Sequence, residues 1–150
     1  MAENNPPSKK TLTAVQSRKR LAIVWFCGAG LLLALLVLQS VFGHYQEQTT
    51  EAWGWFLPTV MPTLSLITGV LVMDALGKEE EPQTVDPFFY KLSLIFSGIY
   101  LALVAFSILI QPFTALSPLK LMNQSNLWLA PLQGLVAAFL GIFFVKKRPF

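Results

Sequence analysis

Ser93, Ser97, Tyr100, Ser107 and Gln111 lie in a stretch that carries no charge from Leu92 to Phe113. At about 100° per residue, a helix gathers these five side chains into an arc of about 80°. They form one polar stripe, interrupted near its middle by Val104. Serine hydroxyls can bond back to carbonyls of their own helix. A glutamine amide or tyrosine phenol in an apolar surrounding needs another partner or water. Two chemistries fit: the lining of a wetted path, or a hydrogen-bonded seam between helices worth ~0.6–2 kcal/mol per contact. Gln39, Thr59 and Thr63 are the amide and hydroxyl groups that other segments could add to such a lining.

The chemistry that is missing narrows the function further. One His and one Cys exclude a haem held by two histidines of the same chain and an intrachain thiol–disulfide relay. No His, Cys, Asp and Glu cluster has metal-ligand spacing, and there is no Gly-rich phosphate loop and no nucleophile–base pair. The expectation is a protein without catalytic residues, cofactor or metal, and therefore not an enzyme. A proton-coupled carrier needs a carboxylate at mid-depth in the membrane. The nearest acid, Asp74, closes the second apolar segment and groups in sequence with Glu79, Glu80, Glu81 and Asp86. His44 beside Glu47 reads as an exposed surface pair.

The elements that must position the stripe are set by apolar length. Hydrophobic residues make up 54% of the 150, and charged residues 13%, about half the share of a soluble domain. Four segments, about 21–42, 53–76, 89–113 and 127–145, each contain an uncharged core long enough for the ~20 residues that cross a bilayer. The fold class is an all-α integral membrane protein, a four-transmembrane-helix bundle. Residues 1–20 form a basic lead-in and 146–150 a basic tail. Ten of the 11 basic residues precede the first span, follow the last or bracket the middle loop, which leaves only Lys120 on the other side. By the positive-inside rule, the N and C termini and the middle loop are cytoplasmic, and the first span is a retained anchor in the plasma (inner) membrane. The basic ends lack interleaved aromatics, so the lipid bilayer and not nucleic acid is the expected partner.

Pro58 and Pro62 lie four residues apart inside the second span. Each removes an N–H and pushes against the carbonyl four residues back, so Pro62 frees the carbonyl of Pro58 and a helix kink is expected. Small residues mark packing faces: Gly30 and Ala34 in the first span, Gly69 in the second, and Ala130, Gly134, Ala138 and Gly141 in the fourth. Leu132, Leu135, Phe139 and Phe143 form the opposite face of the fourth span, read as its lipid side. Gln133 flanks the small face as a candidate partner for Gln111 or for a neighbouring subunit. A faint repeat aligns Gln39 with Gln111 and Trp55–Pro58 with Trp128–Pro131 at offsets of 72 and 73. Two hairpins so related share an axis along the membrane normal.

Three functions suit this pattern. The first is a non-enzymatic membrane subunit that oligomerises and contributes to a channel or pore lined by the stripe. The second is an accessory or scaffold subunit of a larger membrane complex. It would recruit a cytosolic protein through Lys78, Glu79, Glu80, Glu81 and Asp86. The third is a small-solute carrier. All three foresee a homo-oligomer or a place in a larger assembly.

Overall fold

The computed structural model describes residues 13–76 and 85–144. Four helices follow one another: α1 (Ala14–Val41), α2 (Thr49–Leu76), α3 (Pro87–Leu109) and α4 (Pro118–Phe144). All four are long and apolar enough to cross a membrane, and no strand occurs among the described residues. The helices overrun the apolar segments because local signals, not hydropathy, set their ends. Thr13 caps α1 by accepting from the Gln16 amide at 3.4 Å, so the helix already contains Arg18, Lys19 and Arg20. Asp86 caps α3 through the Phe88 amide at 2.9 Å, with Pro87 at the first helical position. Pro118 opens α4 nine residues before the expected span, which turns most of the anticipated loop into helix. The α3 helix closes at Leu109. Pro112 cannot donate to the Ile108 carbonyl, and Gln111–Phe113 tighten into a 3-10 turn.

The end of α1 is shaped by Gly43. At φ +70° it takes the left-handed conformation that a side chain disfavours. Its amide bonds to the Ser40 carbonyl, and the His44 amide to the Gln39 carbonyl, in the paired pattern of a Schellman stop. That turn throws Tyr45 back under the helix, where it is buried.

Within the bundle α3 and α4 form the most extensive helix pair, followed by α2 with α4. The α3 helix also packs on α1, and it meets α2 through Tyr100. Trp25, Tyr100, Phe56, Ile67, Leu140 and Phe143 are among the fully enclosed core side chains. Phe96 stacks on Phe139 with centroids 4.9 Å apart, and Trp25 lies against Tyr100 at 5.8 Å.

The small-residue faces lie elsewhere than the sequence suggests. Ala130, Gly134, Ala137 and Ala138 of α4 are exposed, whereas Leu129, Val136, Leu140 and Phe143 fill the core. Reading Phe143 as lipid-facing is thereby corrected: it is 1% exposed. On α2, Pro58, Pro62, Ser65 and Gly69 look outward, while Val60 and Ile67 are enclosed. Gly30, Gly69 and Gly134 have nothing within 4 Å of where a Cβ would stand; Ala34 is exposed and Gly141 half-buried. The glycine that the bundle does use is Gly28, where an added Cβ would meet Leu101 of α3 at 2.7 Å. A side chain there would require the tip of Leu101 to shift.

Candidate functional site

The polar groups of the stripe are all enclosed, and each is engaged by the chain itself. Ser93, Ser97, Tyr100, Ser107 and Gln111 are buried, with Ser97 and Tyr100 at 0% exposure. The Trp25 indole of α1 donates to Ser97 Oγ at 3.0 Å. The Ser93 hydroxyl reaches the Phe139 carbonyl of α4 at 3.4 Å, and the Ser107 hydroxyl bonds back to the Leu103 carbonyl at 2.9 Å. The Tyr100 hydroxyl donates to the Thr59 carbonyl of α2 at 2.8 Å. One stripe therefore touches all three other helices. In an apolar medium such bonds fix register, because a displaced donor has no water to turn to.

The end of the stripe away from Arg18 and Asp74 gathers a second set of groups. His44 Nε2 and Gln111 Oε1 lie 3.1 Å apart, and the Tyr45 hydroxyl donates to Gln39 Oε1. His44 thus pairs with Gln111 and not with Glu47. Burial pushes the Tyr45 phenol up to about 12, offset in part by a hydrogen bond with Gln111. Tyr45 thus engages Gln39 while His44 engages Gln111. Trp53 Nε1 donates to Ser40 Oγ at 3.2 Å, which ties α2 to α1 nearby.

At the middle of the bundle, the prolines of α2 are met from α4. Gln133 Nε2 donates to the carbonyls of Pro58 and Thr59, each at 3.3 Å. The Pro58 carbonyl is the one that Pro62 deprives of its helical donor. Gln133 therefore repairs the helix next door, and its expected pairing with Gln111 does not form. Thr59 Oγ1 bonds to the Trp55 carbonyl at 2.7 Å. Replacing Gln133 with Leu is expected to cost about 1–2 kcal/mol, the penalty for an orphaned carbonyl in apolar surroundings. In a Pro62→Ala background, the restored amide supplies the donor and the same replacement should cost less than half as much. A double-mutant cycle of unfolding free energies in mixed micelles reads this. Equal costs in both backgrounds would show that Gln133 does not serve the proline-freed carbonyl.

At the opposite end, Arg18 locks three helices. Its Nη1 contacts both oxygens of Asp74 on α2, at 3.1 and 3.0 Å, and its Nε donates to the Phe143 carbonyl at the end of α4. Arg18 is 9% exposed. Asp74 is therefore the partner of Arg18, a correction to its grouping with the acidic loop. Asp86 belongs to the α3 cap, and Lys78, Glu79, Glu80 and Glu81 lie outside the described residues.

A shallow groove of about 320 Å³ opens on the outside of the bundle between α2 and α4. It is lined by Pro62, Thr63, Leu66, Ala130, Gln133, Gly134 and Ala137. The sequence marks Thr63 and Gly134 but gives no reason to bring them together. No group of three or more His, Cys, Asp or Glu among the described residues could hold a metal ion. Compared with protein-family models, curated proteins and solved structures, the chain has no match.

Proposed function

We propose that this chain is a non-enzymatic integral membrane subunit that acts by assembling with other chains. Its termini would be cytoplasmic and its location the plasma (inner) membrane. The observation that carries this reading is the outward placement of Ala130, Gly134, Ala137 and Ala138, while the bulky side of α4 closes the core. Lipid tails gain nothing special from small residues, whereas a second helix can approach them closely. The groove beside α2 extends that face.

The same geometry favours the accessory role over a channel lined by the 93–111 stripe, whose groups are already spent on contacts within one chain. It also disfavours a proton-coupled carrier, because Asp74 is held by Arg18. Recruitment of a cytosolic protein through the loop from Lys78 to Asp86 belongs to the accessory proposal.

The test is particle mass in mild detergent together with conductance in planar bilayers. A particle heavier than one 16.7 kDa chain with silent bilayers supports the proposal. A monomer at every concentration, with no co-purifying partner, removes it. Discrete currents altered by Ser97→Leu would restore the channel.

A further inference from the structure

Building on the assembly role, we infer that the groove between α2 and α4 is a two-fold interface with a second copy of this chain, closed by reciprocal hydrogen bonds between Thr63 and Gln133. Small residues alone would not single out this groove. The second observation is a stranded donor. Thr63 is 4% exposed and lines the groove, yet its hydroxyl has no hydrogen-bond partner among the described residues.

The reason lies one turn back. A threonine hydroxyl within an apolar helix ordinarily bonds to the carbonyl four residues earlier, as Thr59 does to Trp55 and Thr68 to Leu64. For Thr63 that acceptor is the Thr59 carbonyl. It already receives the Tyr100 hydroxyl at 2.8 Å and the Gln133 amide at 3.3 Å. Thr63 is crowded out of its usual bond.

Gln133 carries the matching half. Both of its hydrogen bonds use Nε2, so its Oε1 is an acceptor with no partner among the described residues. One surface thus presents a free donor on α2 and a free acceptor on α4 within about a helical turn of each other. Copies inserted in the same sense are related by an axis along the membrane normal, which keeps each residue at its own depth. A two-fold contact brings each patch against itself. A patch that holds both a donor and an acceptor can satisfy itself twice in that arrangement. A fatty acyl chain offers neither group.

Ala130, Gly134 and Ala138, spaced four apart, put the crossing point of the two α4 helices at Gly134. No atom lies within 4 Å of a Cβ built there, so the position is free to receive another backbone. The exposed Cys27 on α1 is the sole cysteine and is changed to Ser for the test.

In that background, full-length chain carrying Gly134→Cys should form a disulfide-linked dimer when its membranes are oxidised, while Gly30→Cys, also exposed, should not. Thr63→Val keeps the shape and removes the donor. It should weaken dimerisation about tenfold, as two lost bonds of modest strength imply. An oligomeric wild type that cross-links no better through Gly134→Cys than through Gly30→Cys would overturn this interface and leave the assembly role standing. So would a tightly bound lipid shielding Gly134→Cys from a thiol reagent in an oligomer. A wild type that is monomeric at all concentrations would remove the assembly role as well.

Discussion

Arg18→Ala is expected to lower the unfolding free energy by about 2–3 kcal/mol, among the largest effects of any single change in this chain. Arg18 serves two helices at once, with Nη1 on the Asp74 carboxylate and Nε on the Phe143 carbonyl. Removing it strands a carboxylate whose side chain is only 23% exposed and takes from the helix-terminal Phe143 carbonyl its side-chain donor among the described residues. Breaking a buried pair costs about 3–5 kcal/mol, and partial access of Asp74 to water brings the figure to the lower end. The arrangement demands arginine in particular. Two nitrogens of one planar fork face different helices, which a lysine ammonium cannot reproduce. Arg18→Lys should therefore lose about half as much as Arg18→Ala. Replacing both partners by Leu removes the stranded charge and should recover most of the loss, as apolar replacements of ion pairs commonly do. Unfolding of the full chain in mixed micelles measures all three. A double Leu variant as unstable as Arg18→Ala would mean that Asp74 is not the group left in need.

The contrast between this clamp and the faces of α2 and α4 shows what sequence can resolve in a membrane helix. Sequence locates the stripe on α3 unambiguously, because a hydroxyl or amide has one affordable side and the acyl chains are not it. Ser97 and Tyr100 are accordingly sealed in the core. Helical spacing also separates the small face of α4 from the bulky one, yet it does not say which looks inward. In water that choice is made by burial; in lipid, Leu and acyl chain are equally apolar, and the driving force that would fix it is absent. Val136 and Phe143 therefore went to the core and Gly134 to the surface. Gly28 escaped notice for a related reason. Its use depends on the position of Leu101, 73 residues later, and not on its neighbours in sequence. The Arg18–Asp74 pair was hidden by charge counting, which treats Arg18 as one more basic residue before a span. The orphaned carbonyl of Pro58 was foreseeable from Pro62. Its rescuer was not, since several polar side chains could have reached it.

Trp25→Ala is the second large effect, expected at about 3 kcal/mol. Trp25 is 0% exposed, lies 5.8 Å from the Tyr100 ring and donates to Ser97 at 3.0 Å. Truncating a buried Trp costs about 3–5 kcal/mol in soluble cores, part of it lost transfer from water. That part is small in a bilayer, so the lower figure is used, carried by lost dispersion contacts and a void sealed from lipid. Trp25→Phe keeps a ring against Tyr100 and gives up the indole donor. Ser97→Ala gives up the acceptor and strands the indole N–H. Each should cost about 1 kcal/mol, and together hardly more than either alone, because both remove the same bond. The pair has a further meaning: Trp25 and Ser97 are 72 residues apart, the offset that relates Gln39 to Gln111. Were the two hairpins related by the faint repeat, residues that meet their own equivalents would lie on the axis between them. Cysteines at Gln39 and Gln111, in a chain with Cys27 changed to Ser, should then cross-link within one molecule and restore part of the stability lost in Trp25→Ala. Cross-linking that appears only between molecules would dissolve the axis and leave Trp25 as an ordinary core residue.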